Sequence, residues 1–326
     1  MNLHTDKKLF VSAVSAAGNR FGVAEKYIEK DYWVTLALFE IFRSAVATDT
    51  VFKGGTALAK CHKLIERFSE DIDVVAMRKD GETDNQLKKK LKTISDTVCG
   101  FMPEIEVTGI THKRGQIRKT AHQFPKETFS GEYGQVREYI VIEASWFGSH
   151  EPFIIAEVSS YIGDMMKTVG QDELIAKYNL QPFQVKVLSK ERTLCEKIMS
   201  LVRFSHTDNP YVDLSNKIRH VYDIHMMLKN NEVKSFLNSS DFDLMLNIVG
   251  KDDLLSFKNN NDWLSIHPKE AIMFSDIEAT WNKINGAYNT TFKGMVLGDL
   301  SEEKELIKTL KLVSNRLNEV NWNVFN

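Results

Sequence analysis

VFKGGTALAKCHKLIERFSEDIDVVA, residues 51–76, decides how this chain is read. Val51-Phe52-Lys53 has the β-branched and aromatic character of a strand and runs into Gly54-Gly55. There the pattern switches to a helix, expected from Thr56 to about Ile65. A strand that ends in two glycines and opens a helix presents unpaired backbone N–H groups and the positive end of the helix dipole. Together these favour an anion, and the missing side chains let a phosphate chain approach the backbone. The Thr56 hydroxyl adds a donor. A helix of about ten residues advances roughly 15 Å before the chain turns at Glu66–Ser69. It is then expected to return as a strand over Ile72–Ala76, headed by Asp71 and Asp73. With a period of two, both carboxylates project from one face. Two adjacent carboxylates repel, and a hard divalent cation such as Mg²⁺, commonly held by one or two carboxylates plus substrate phosphates, relieves the repulsion.

Working outward, residues 1–48 read as two amphipathic helices, the first carrying Phe10, Val14, Ala17 and Phe21, the second spanning about Ala24–Arg43. Residues 84–99 form a lysine-rich helix. Between 104 and 162 the texture is β-rich, with strands expected over Ile105–Thr111, Val136–Phe147 and Phe153–Ile162, and another over Gln184–Leu188. After Ser189 helices dominate, including Glu191–Phe204 and Leu214–Lys229. The outline is α+β: a mixed sheet with flanking helices over residues 1–190, then a helical domain over 191–326. A third carboxylate is expected on a strand beside the Asp71/Asp73 pair. Glu143 is the candidate, because it shares a strand face with Tyr139 and Val141 and would stand on an otherwise apolar strip. Its alternative reading is a glutamate paired with a lysine.

The chain has 326 residues, 43% hydrophobic and 26% charged, with 42 Lys+Arg against 44 Asp+Glu. This is the profile of a folded globule and excludes disordered, collagen-like and disulfide-stapled classes. A net charge of -2 excludes a uniformly basic surface but not a local one. Cys61, Cys99 and Cys195 lie far apart with no CxxC pairing, which fits reduced thiols. Lys7-Lys8 ahead of Leu9–Ala17 looks like a signal peptide only faintly, because the segment has a helical apolar face. With no apolar run near the roughly 20 residues of a membrane span, a cytoplasmic location with no membrane partner is expected.

Four blocks of the sequence resemble the AbiEii/AbiGii toxin nucleotidyltransferases of the polymerase-β-like superfamily. They are Ile28-Glu29-Lys30-Asp31-Tyr32-Trp33; Phe52-Lys53-Gly54-Gly55-Thr56-Ala57-Leu58; Arg67-Phe68-Ser69-Glu70-Asp71-Ile72-Asp73; and Arg192-Thr193-Leu194-Cys195-Glu196-Lys197 with Arg219-His220-Val221-Tyr222-Asp223. The resemblance covers about residues 20–230. It implies a nucleotidyltransferase-type sheet and transfer of a nucleoside monophosphate from an NTP to an acceptor hydroxyl, with pyrophosphate released. Asp71 and Asp73 would bind Mg²⁺, in a two-metal site completed by Glu143. Gly54, Gly55, Thr56 and Ser69 would hold the triphosphate, Lys197 would meet phosphate oxygens, and Asp223 would complete the site from the helical domain. Where the superfamily usually has Gly-Ser, this chain has Gly55-Thr56, which keeps the hydroxyl. The resemblance also implies a toxin of a bacterial toxin–antitoxin or phage-defence pair, with a cognate antitoxin and an RNA acceptor, the tRNA 3′ end above others.

Beside this stands a nucleotidylyltransferase acting on a protein or small molecule, and a binding module without turnover. The stretch His112–His122 bears on the acceptor. It carries Lys113, Arg114, Arg118 and Lys119 with no acidic residue, followed by Phe124, Phe129 and Tyr133, a mix that suits RNA or a plain surface loop. The run Leu87–Lys92 reads as a solvated helix face, and Arg219–Asp223 as an i, i+4 pair. No HExxH or G-x-S-x-G pattern occurs, so zinc and nucleophile-elbow hydrolase chemistry have no support. The five tryptophans read as core aromatics.

Overall fold

Asp6 caps the first helix by accepting from the Leu9 N–H, and Gly22, at φ +65, ends it in the left-handed conformation that only glycine adopts without cost. The computed structural model describes residues 1–127, 129, 136–146 and 150–325. The chain divides into two units: one of residues 1–62, 68–146 and 153–187, the other of 63–67, 147–152 and 188–326.

The first unit holds a seven-stranded mixed sheet. Its strands are β1 (Thr50–Lys53), β2 (Ile72–Ala76), β3 (Glu104–Ile105), β4 (Ile117–His122), β5 (Ile140–Ser145), β6 (Phe153–Val158) and β7 (Phe183–Leu188), in the order β3-β4-β5-β2-β1-β7-β6. Helices α1 (Lys7–Phe21), α2 (Glu25–Ile41), α3 (Gly54–Lys60), α4 (Asp84–Cys99), α5 (Tyr161–Thr168) and α6 (Asp172–Lys177) flank it. This is the mixed nucleotidyltransferase-type sheet with flanking helices that the motifs imply. Strand β2 runs antiparallel to β1 and parallel to β5, which places Asp73 opposite both Lys53 and Glu143.

Several element boundaries differ from the sequence expectation. Helix α3 ends at Lys60 rather than near Ile65; Lys63 takes φ +54, and residues 63–67 group with the second unit. The segment 112–122 is not a loop in its second half. Ile117–His122 forms β4, a full antiparallel partner of β5, and its polar side chains are accommodated by Ser95, Glu143 and each other. The strand starting at Phe153 stops at Val158, because Ser160 caps α5 by accepting from the Gly163 N–H. Residues 105–111 are strand only at their start, and the helix expected over 214–229 is two, broken at Lys217.

Helix α2 explains the first of the four blocks. Its residues 28–34 are all buried, and three of them are charged. Glu29 accepts from the Glu127 N–H, Lys30 pairs with Glu70 and donates to the Arg137 carbonyl, and Asp31 pairs with Lys60 and accepts from the Tyr161 N–H. On the apolar side Trp33 packs with Phe10, Tyr32 and Phe124. Phe124 is therefore core, and Tyr133 lies outside the described residues. Helix α4 buries Leu87, Leu91, Ile94 and Val98 and exposes Lys88, Lys89 and Lys92, the solvated face expected for it.

The second unit is helical: α7 (Lys190–Phe204), α8 (Pro210–Asn216), α9 (Ile218–Leu228), α10 (Asn231–Leu237), α11 (Ser240–Ser256), α12 (Ile272–Ser275), α13 (Ile277–Ala287) and α14 (Glu303–Leu317). Helix α7 packs on α9 and α11 and buries Leu194, Ile198 and Leu201. Of the tryptophans, Trp33, Trp263 and Trp281 are buried, whereas Trp146 and Trp322 are only partly covered. All three cysteines are free thiols, Cys195 fully buried. Among the described residues no helix is long and apolar enough to cross a membrane.

Burial pushes the Lys30 ammonium down and the Glu70 carboxyl up, so each is stable as an ion only because the other is there. Lys30→Ala is therefore expected to cost about 3–5 kcal/mol, the penalty for an uncompensated buried charge. Urea unfolding followed by circular dichroism measures it, and a loss below about 1 kcal/mol would mean the pair is ornamental.

Candidate active site

The sheet register assembles a row of four charged residues on four adjacent strands. Lys53 of β1 stands opposite Asp73 of β2, Asp73 opposite Glu143 of β5, and Glu143 opposite Lys119 of β4. Residues paired in register share a face of the sheet, so two carboxylates lie side by side with a lysine at either end. Lys119 Nζ is 2.9 Å from Glu143 Oε2. Glu143 thus stands on the strand beside Asp73, as expected, and is paired with a lysine, Lys119.

Asp71 stands one residue before β2. Burial first, then the charges of Glu143 and Asp71, push the Asp73 carboxyl up to about 7, with Lys53 and Lys119 opposing. A carboxyl raised by its carboxylate neighbours is a group that a cation would restore to the ionised form. The donor chemistry fits a hard divalent ion. As the side chains stand, however, no three His, Cys, Asp or Glu among the described residues are gathered into a metal cage. Two of the carboxylates are held by cations of the chain instead, Glu143 by Lys119 and Asp71 by Arg137, whose Nη1 is 2.6 Å from Asp71 Oδ1.

The glycine turn is built against the same carboxylate. Gly54 has φ +80, and a Cβ there would fall 2.1 Å from Asp73 Oδ2. Only glycine satisfies both the left-handed backbone and that contact. Gly55 follows it in the first turn of α3. The buried Thr56 hydroxyl is 2.5 Å from the Asp71 carbonyl and 3.0 Å from Ser69 Oγ. A carbonyl can only accept, so the single Thr56 proton goes to Asp71 and Ser69 donates to Thr56. Thr56 thereby ties the helix to the approach of the aspartate strand, and its proton is engaged there.

Lys197 and Asp223 belong to the second unit and are brought together in it. Lys197 Nζ is 2.7 Å from Asp223 Oδ2, and Arg67 holds both oxygens, Nε to Oδ1 at 2.7 Å and Nη2 to Oδ2 at 2.8 Å. Asp223 pairs with these two and not with Arg219, which corrects the i, i+4 reading. Lys197 is buried as well. Burial alone would raise the Asp223 carboxyl, but the Arg67 and Lys197 charges hold it far below the usual carboxylate range. Burial lowers the Lys197 ammonium, with Asp223 opposing and Arg67 adding to the drop, so one carboxylate serves two cations. His220 is pushed well down by burial and by Lys197.

Of the four basic residues at 113–119, three pair with other side chains of the first unit, while Arg114 is exposed. Lys113 pairs with Glu104, Arg118 donates to Ser95 and lies near Glu104, and Lys119 is the partner of Glu143. Sequence reasoning gave no role to Arg137, Lys119 or Lys53 at the carboxylates, nor to Arg67 beyond its place in a motif. Alternation over Ile117, Lys119 and Ala121 was the available signal for β4 and hence for Lys119.

Comparison with known proteins gives two findings. The family model described as nucleotidyl transferase AbiEii toxin, type IV toxin–antitoxin system, matches residues 36–297. Among solved structures, MenT4, a nucleotidyltransferase toxin from Mycobacterium tuberculosis H37Rv, is 14% identical, with 95% of this chain and 98% of that chain covered at a TM-score of 0.49. No curated protein matches in sequence.

Two outcomes follow from the geometry. Gly54→Ala must shift Asp73 or the turn, so it is expected to cost about 1–3 kcal/mol in urea unfolding through backbone strain. Displacing Asp73 by even 1 Å should also lower any activity of the site about 10²-fold. Asp223→Asn is expected to destabilise by about 3–5 kcal/mol near neutral pH, because two buried cations lose their counter-charge. Since the folded carboxyl lies below its ordinary 3.8, the wild-type advantage is present above that pH and shrinks as pH falls below it. Unfolding curves of both proteins at pH 7 and pH 3 read this directly, and a constant gap would contradict it.

Proposed function

The chain belongs to the AbiEii family of nucleotidyltransferase toxins, and from that premise we propose that it moves a nucleoside monophosphate from an NTP to an acceptor hydroxyl of RNA at the site around Asp73. The observation that carries this reading is the pair of neighbouring carboxylates, Asp73 and Glu143, with Asp71 beside them and the Gly54 backbone in contact with Asp73. A sheet selected for stability alone would not set two carboxylates opposite each other. The family's toxin–antitoxin membership also implies an antitoxin or operon partner.

Asp71, Asp73 and Glu143 are the residues that would hold Mg²⁺, two ions in the full form of the proposal. Bound Mg²⁺ supplies charge neutralisation at the triphosphate and activation of the acceptor hydroxyl. The chain's own contribution is placement. Gly54 and Gly55 leave room for phosphate against the backbone, while Thr56 and Ser69 hold the turn against the strand that carries Asp71 and Asp73. In this reading residues 1–190 form the catalytic domain, and residues 191–326 form a helical domain in which Asp223 holds Lys197. A cytoplasmic location follows from an NTP and RNA as substrates.

The RNA acceptor, with the tRNA 3′ end favoured, rests on the family resemblance. The internal pairing of Lys113, Arg118 and Lys119 reduces the basic patch that would have supported it independently, leaving Arg114 exposed. That same pairing favours, as the second reading, a protein or small-molecule acceptor. Incubating the protein with each α-labelled NTP, Mg²⁺, total RNA and cell extract separates them. Label is expected in RNA, concentrated in tRNA, and reduced at least about 10²-fold by Asp73→Asn. Label in protein or small molecules alone would replace the first reading by the second, and no label in any fraction would overturn both.

A further inference from the structure

Arg137 is held in an unusual way. Its main chain is fixed from two sides by buried charges: its N–H donates to Glu70 Oε2 at 3.2 Å, and its carbonyl accepts from Lys30 Nζ. Lys30 and Glu70 are themselves paired and almost inaccessible. The side chain is far less confined, at 30% exposed, and reaches forward so that Nη1 meets Asp71 Oδ1 at 2.6 Å. Glu70 is 3.6 Å away, but its charge is already engaged by Lys30. A backbone held by buried charges thus carries a part-exposed guanidinium to the edge of the carboxylate group.

Resting on the proposed site, we propose that Arg137 is a nucleotide-binding residue that exchanges partners: it neutralises Asp71 in the empty site and turns to a phosphate oxygen of the NTP when Asp71 is given to a divalent cation. Three considerations support this. A metal ion on Asp71 would compete with the guanidinium for the charge of one carboxylate, and a part-exposed ion pair is weak enough to be exchanged. Once Asp71 is occupied, Arg137 has no second free carboxylate, because Glu70 is satisfied by Lys30 and by the Arg137 N–H. A guanidinium released beside a triphosphate presents paired donors in the planar geometry that matches phosphate oxygens. In the empty site it also relieves the crowding among Asp71, Asp73 and Glu143, so the position carries a positive charge in both states.

The exchange makes two affinities move in opposite directions, which a merely structural arginine would not do. In Arg137→Gln, Mn²⁺ binding to nucleotide-free protein, followed by electron paramagnetic resonance, is expected to tighten about threefold or more, since no guanidinium competes for Asp71. Binding of the α,β-methylene NTPs at saturating Mn²⁺ is expected to weaken about tenfold. Arg137→Lys should recover part of the nucleotide affinity and keep the competition for Mn²⁺, and both variants should melt with the wild type. Unchanged Mn²⁺ affinity would overturn the exchange, unchanged nucleotide affinity would overturn the phosphate contact, and joint weakening of both with a lowered melting temperature would make Arg137 a structural residue. If wild type and Asp71→Asn bind Mn²⁺ equally, the metal reading of the site fails first, and that result is separate from the other three.

Discussion

The contact between a carboxylate and a residue with no side chain governs the first unit. Asp73 Oδ2 occupies the space that a Cβ on position 54 would fill, and the β1–β2 register sets that meeting by placing Lys53 opposite Asp73. Shifting the register by one residue would turn Asp73 to the other face and bring Ile72 or Val74 against the turn. The same register, continued through β5 and β4, sets Glu143 and Lys119 in line. A single pairing decision therefore fixes the glycine turn, the two neighbouring carboxylates and the lysine that offsets one of them.

Placing those carboxylates together is unfavourable, and the unit is organised to tolerate it. Lys53 and Lys119 flank the row, and Arg137 covers Asp71. Behind them helix α2 contributes Glu29, Lys30 and Asp31, all buried and each satisfied by a partner on a different part of the chain. Buried ion pairs are poor sources of stability compared with apolar packing, but they fix which groups meet. Here they fix the Arg137 backbone and the Glu70–Asp71 approach to β2, so the charges of the first block support the charges of the site without belonging to it.

Much of this was legible before the structure. The Gly54-Gly55-Thr56 turn, the Asp71/Asp73 pair and the strand–helix–strand order around them are local, and local pattern reports them. Glu143 was legible as a carboxylate on an apolar strip. What was hidden is long-range or disguised. Strand β4 hid behind its charges, because Arg118 and Lys119 are as polar as a loop and are neutralised only by Ser95 and Glu143 in the fold. Arg137 had no local mark at all: the residues that hold it, Lys30 and Glu70, lie 107 and 67 positions earlier. Arg67 and Asp223 are 156 positions apart, and so the helical-periodicity argument assigned Asp223 the nearer and wrong arginine.

The second unit poses the opposite electrostatic problem. Around Asp223 one carboxylate faces two buried cations, Arg67 and Lys197. The response is visible in the shifts: the carboxyl is driven down by two partners, while burial and Arg67 drive Lys197 down despite its ion pair. His220 is pushed well down by burial and, after it, by the Lys197 charge. A negatively charged group would therefore be stabilised wherever it could reach Lys197, whereas a further cation would be excluded. The asymmetry gives Asp223 a definite part. It holds two buried cations at fixed positions with a single carboxylate, so their placement depends on its charge.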